Sequence, residues 1–121
     1  MESLSDNLQE NFDRLIVECL EQGCIWGLQD NHENWALVES SDHDHIDVIP
    51  FWSNKLLAEA LCNDDWSIYK PVAIEMEEFL DDWLPGMHSD VLLVGINWNL
   101  DLEGDEIEPL DLLEEFESEL G

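Results

Sequence analysis

Apolar residues recur at spacings of three and four over residues 5–22, where Leu8, Phe12, Leu15, Ile16 and Cys19 form one stripe. That spacing is the signature of a helix with one buried face. Ser5 or Asp6 can cap its start, and Gly23 can end it. The pattern then shortens. Cys24 to Leu28 and Trp35 to Val38 read as β-rich runs, with the polar stretch Asp30 to Asn34 as the hairpin turn between them. A polar linker from Ser40 to His45 leads into a third strand, Ile46 to Phe51, with Pro50 near its end, where a missing N–H is tolerated.

Ser53 is an N-cap for a helix over 54–62, with Leu57, Ala60 and Leu61 on its inner side. Trp66 to Tyr69 is a connector, and Pro71 to Glu75 reads as an edge strand. Met76, Phe79, Leu80, Trp83 and Leu84 form a second helical stripe, which Pro85 and Gly86 are expected to break. Val91 to Trp98 is the most apolar run and predicts a central strand. An acidic loop from Asn99 to Asp105 follows. Pro109 opens a closing helix over 109–120, with Leu110, Leu113, Phe116 and Leu120 along one side. The order α-β-β-β-α-β-α-β-α predicts a single α+β domain over residues 1–121, with helices packed on a mixed, mostly antiparallel sheet.

Composition alters what this domain can meet. The formal net charge is −28 on 121 residues, from 31 acids against three bases, Arg14, Lys55 and Lys70. Apolar residues make up 45%, and six are tryptophans, which places the chain among folded domains rather than acidic tails. Phosphate recognition needs clustered Lys and Arg, so direct binding to nucleic acid or anionic lipid is excluded. Cations and basic proteins remain as partners, and added salt should stabilise so self-repelling a fold. No apolar run is long enough to span a membrane. The acidic, polar start lacks the basic and apolar segments of a secretory signal, and Cys19, Cys24 and Cys62 lack disulfide or C-x-x-C spacing, so the expected location is cytoplasmic.

Gly23-Cys-Ile-Trp-Gly-Leu28, Trp35-Ala-Leu37, Ile49-Pro-Phe-Trp-Ser53, Trp66 with Tyr69 and Pro71, Phe79-Leu-Asp-Asp-Trp-Leu-Pro-Gly86 and Val94-Gly-Ile-Asn-Trp98 occur in this order. The set resembles a family of small bacterial proteins that share a domain of unknown function, across about residues 10–115. The resemblance implies a bacterial cytoplasmic protein and carries no catalytic residues with it. A second similarity, in topology, is to SseB-like proteins. It sets Ile49 to Ser53, Val72 to Ile74, Met76 to Leu84, Val91 to Asn97 and the helix from Pro109 in corresponding places, and implies an interaction module rather than an enzyme.

Candidate chemistry is sparse. His43 and His45, with Asp42, Asp44 and Asp47, offer imidazole and carboxylate ligands on one short segment. A metal-binding protein or small enzyme centred there, with or without Cys24, is one reading. A solvated acidic loop is the plain one. A nucleophilic thiol needs a lowered pKa, which surrounding acids oppose. No phosphate loop, nucleophile elbow, zinc-protease helix or EF-hand is present, and no cofactor is expected. Paired carboxylates are too numerous to single out a glycosidase pair.

The distribution of acids is more specific. No base follows Lys70, whereas 16 acids do, ten of them between Asp101 and Glu119. Glu78, Asp81 and Asp82 share the polar side of one predicted helix, and Asp111, Glu114 and Glu115 that of the last. Rows of carboxylates on rigid helices can imitate nucleic-acid phosphates. Trp52 and Trp66, near element ends, are expected to be partly exposed and to add cation–π contacts to an Arg-rich partner. The leading expectation is a non-enzymatic module that binds a basic protein, as a DNA mimic or a toxin-immunity protein. The plain alternative is that the acidity serves solubility or salt adaptation alone.

Overall fold

A computed structural model describes residues 8–40, 46–62, 66–98 and 104–120. Helix α1 spans Leu8–Gln22 and is followed by strands β1 (Cys24–Gln29), β2 (Val38–Glu39) and β3 (Asp47–Phe51). Helix α2 (Lys55–Glu59) and strand β4 (Lys70–Glu75) come next. A continuous helical rod then comprises α3 (Met76–Glu78), a π-helical segment (Phe79–Trp83) and α4 (Leu84–Ser89). Strands β5 (Leu93–Ile96) and β6 (Asp105–Ile107) and helix α5 (Pro109–Leu120) complete the chain. The architecture is α+β.

The larger sheet has the order β2-β3-β5-β6. Its central pair, β3 and β5, is parallel, and both outer pairings are antiparallel. Strand β1 pairs antiparallel with β4 in a second, two-stranded sheet. A reciprocal bridge couples the two sheets, with the Trp26 N–H donating to the Trp52 carbonyl at 2.9 Å and the Trp52 N–H to the Trp26 carbonyl at 2.8 Å.

The period of two along β3 and β5 sorts the core into two layers. Ile49, Phe51, Val94 and Ile96 face a cluster filled by Leu15, Ile16 and Cys19 of α1, Phe79, Leu84 and Met87 of the rod, and Leu112 and Phe116 of α5. Val48, Leu93, Trp52 and Trp98 belong to the opposite cluster, with Leu57 and Ala58 of α2. Both central strands are therefore covered on both faces, which accounts for their nearly unbroken apolar sequence.

Several sequence expectations change, while the place of Pro50 near a strand end holds. The rod is not broken at Pro85 and Gly86. The Leu84 N–H reaches back five residues to the Phe79 carbonyl, and this wider turn admits a proline that has no N–H to give. The N-cap of α2 is Asn54 and not Ser53, since the Asn54 side chain accepts from the Leu57 N–H at 3.1 Å. Strand β6 begins at Asp105, the last residue of the expected acidic loop, and is not among the expected strands. Three intermediate residues, Asp105, Glu106 and Ile107, have too little hydropathy to announce a strand that β5 templates from one side. Pro50 lies on a central strand and is buried. It fits because β2 pairs only as far as Val48 and the Trp26 bridge resumes at Trp52, so the missing N–H falls in a gap in the pairing.

Glycines seat the indoles. A Cβ at Gly95 would stand 2.7 Å from the Trp98 ring, and one at Gly27 would stand 2.8 Å from the Trp35 ring. Gly95→Ala is accordingly expected to destabilise the fold by about 2 kcal/mol through overpacking. The check is a denaturant melt at unchanged slope, in which a loss near zero would show that Trp98 can shift freely.

Candidate functional site

Open α/β sheets commonly bind ligands beyond the carboxyl ends of their parallel strands. Here that position lies past Phe51 and Ile96, and it is filled from within. Asn97 is 1% exposed and adopts a left-handed φ of 42°. Its Oδ1 accepts from the Ser53 N–H at 2.9 Å, and its Nδ2 donates to the Asn11 carbonyl at 3.1 Å and to Ser53 Oγ at 3.2 Å. The Ser53 hydroxyl donates to Glu18 Oε1 at 2.5 Å, which also accepts from Arg14 Nε at 3.0 Å. Gln22 Nε2 closes the ring on the Ser53 carbonyl at 2.6 Å. Among the described residues, no buried side-chain nitrogen or oxygen lacks a partner. The cluster thus ties α1 to the strand ends. Sequence reasoning missed it. The available signal was an asparagine directly after an apolar strand, since Asn tolerates the left-handed region that other side chains avoid.

Burial works against ionisation of all three thiols. Burial pushes the Cys19 thiol well above its ordinary 9.0, with added repulsion from Cys24 and Glu18. Burial likewise raises Cys24 and Cys62, the latter helped by Glu59. His32 lies exposed in the turn after β1, where Asp30 Oδ1 accepts from the His32 and Asn34 N–H groups at 2.8 and 3.0 Å. Those bonds, Asn34's first, hold the Asp30 carboxyl below its usual value. His43 and His45 fall outside the described residues. Among the described residues, no group of three or more His, Cys, Asp and Glu is placed to hold a metal ion.

Six of the predicted site residues lie on the helical layer. Helix α4 packs against α5. The Phe79 and Phe116 rings meet edge to face at 6.4 Å between centroids, behind the acids. Glu78, Asp81 and Asp82 are exposed on the rod, as are Asp111, Glu114 and Glu115 on α5. Glu78 Oε2 accepts from Trp83 Nε1 at 3.2 Å. No described residue forms an ion pair with any of the six.

The two tryptophans expected beside them are elsewhere. Trp52 is fully buried, and its Nε1 donates to the Trp98 carbonyl at 2.9 Å, so it is a core residue and not a partner contact. Trp66 is half-buried on the opposite side of the sheet, tilted against Tyr69 at 5.2 Å. The half-buried indole that does adjoin the acids is Trp83, held edge to face by Trp35 at 4.7 Å and Phe51 at 5.8 Å.

Fold and site together describe an α+β domain with a closed polar hub and an acidic helical layer. The chain belongs to the family described as a protein of unknown function (DUF2750), whose model matches residues 12–116. That span covers α1 from Phe12 through most of α5, and so includes the polar hub apart from Asn11, and both rows of acids. A search of curated proteins finds no match. Among the described residues, no helix is long and apolar enough to cross a membrane.

Two measurements probe these assignments. Asn97→Ala leaves the Ser53 N–H and the Asn11 carbonyl unpaired and is expected to cost about 3 kcal/mol in chemical denaturation, because buried orphaned groups keep their full desolvation penalty. The raised Cys19 thiol makes stability greatest below 9.0, the ordinary thiol value, and lowers it as pH climbs beyond. Cys19→Ala is expected to flatten that alkaline decline in thermal melts.

Proposed function

We propose that this protein is a non-enzymatic interaction module that binds a basic protein partner through the carboxylate-rich surface of its C-terminal half. The supporting observation is that two packed helical segments hold exposed acids that, among the described residues, form no ion pair with a cation. The arrangement works against helix stability. Asp111 with Glu115, and Glu115 with Glu119, are like charges one turn apart, each pair costing a few tenths of a kcal/mol. The last turn of α5 has no basic residue to offset its acids. An outside cation-bearing surface would relieve both costs on binding. A nucleic-acid-binding protein is the concrete partner class, because carboxylates held on helices present phosphate-like charge on a rigid support. DNA mimicry and immunity against a basic toxin are two forms of this one interaction.

Affinity capture from lysate on the immobilised protein tests the reading. Basic proteins should be retained at low salt and released at high salt. The amide variant E78Q/D81N/D82N/D111N/E114Q/E115Q should lose that retention while gaining about 1 kcal/mol in stability. Equal retention by the variant, or no basic protein retained at low salt, would reduce the acidity to a solubility feature.

A further inference from the structure

Beside the acidic rows, around the C-terminal end of α4, the surface carries two hollows that share Leu92 as a common wall. The larger, about 330 Å³, is lined by Ile49, Trp83, Met87 and Leu92, with Asp82 and Asp90 among its lining residues. The smaller, about 200 Å³, includes Val91, His88, Glu108 and Pro109. Apolar walls with carboxylates beside them match one kind of side chain in particular. An arginine lays an apolar stem along such walls and sends a charged, planar fork to the carboxylates.

Two residues here are costly choices for the fold. Gly86 lies within helix α4, where glycine is a poorer helix former than alanine. A Cβ at Gly86 would meet nothing within 4 Å, so packing does not require the glycine, which lines the larger hollow. Val91 ends the helix in the left-handed region at φ 59°, the position that favours glycine. Its N–H donates to the His88 carbonyl at 3.2 Å and the Leu92 N–H to the Met87 carbonyl at 2.9 Å, the paired bonds of a helix stop. A β-branched side chain is strained there, and Val91 is nonetheless 67% exposed. Each choice weakens the fold, and each lines one of the two adjoining hollows.

We propose that these hollows dock an arginine of the partner protein, with the stem over Trp83 and Met87 and the guanidinium on Asp82 and Asp90, while an adjacent apolar side chain of the same segment packs against Val91. The inference rests on the acidic face being a partner-binding surface. A second copy of this chain is a poor occupant, because it would set −28 against −28. Nucleic acid and anionic lipid are repelled in the same way.

The probe is a fluorescein-labelled short peptide alternating arginine with leucine, titrated by anisotropy at low and high salt. Binding should be salt-sensitive. Gly86→Leu, which fills the larger hollow, and Asp90→Asn should each weaken binding about tenfold, the effect of losing one charge-assisted contact. Val91→Gly should weaken the arginine–leucine peptide but not an arginine–glycine one, and should raise the melting temperature by about 5 °C. Wild-type affinity in Gly86→Leu, Val91→Gly and Asp90→Asn, with salt-sensitive binding retained, would overturn this docking site and leave the acidic-surface reading standing. No salt-sensitive binding by the unmodified protein would overturn both.

Discussion

The fold depends on a seam at the ends of the two parallel strands. Trp52, completely buried, exchanges both backbone hydrogen bonds with Trp26 and sends its indole N–H to the Trp98 carbonyl. The first contact joins the small β1–β4 sheet to the large one. The second fixes the chain as it leaves β5. Immediately beside them, Asn97 and Ser53 lock α1 onto the same strand ends. Several long-range constraints therefore meet within a few residues of β3 and β5. Without them, the two sheets and α1 would share only apolar contact, which is non-directional and sets no register.

That seam has to hold against the charge. Thirty-one acids with three bases leave most carboxylates facing one another across solvent. The core answers with aromatic mass on both sides of the sheet. Phe51, Phe79, Phe116, Trp35 and Trp83 interlock edge to face in one layer, and Trp52 and Trp98 fill the other. Burial of that area is the favourable term large enough to offset repulsion that water and salt already screen. The acids on the rod and on α5 then stand over packed aromatic residues. Their supports are packed helices, so the charge they carry is held in place rather than spread along a flexible tail.

Much of this was legible from periodicity. The stripe of Leu15, Ile16 and Cys19 marked the inner face of α1, and the Val91 to Trp98 run marked a central strand, because both must satisfy a one-dimensional spacing rule. The exposure of Glu78, Asp81, Asp82, Asp111, Glu114 and Glu115 followed from the same rule. Its failures share a cause. Pro85 and Gly86 read as a break because local propensity knows nothing of a π-helical turn upstream that absorbs the proline. Trp52 read as exposed because its position at a strand end says nothing about Trp26 and Trp98, distant in sequence, closing over it.

The sequence by itself determined the class of object: an α+β domain with a tryptophan-built core and a strongly anionic composition. Those properties follow from composition and spacing, which survive any arrangement of the elements. Only the tertiary structure decided which groups are neighbours. It set Trp83, not Trp52 or Trp66, beside the acids, turned Asn97 and Ser53 into a closed hub, and put Gly86 and Val91 on adjoining hollows. Adjacency of this kind depends on long-range pairing, and no local rule along the chain encodes it.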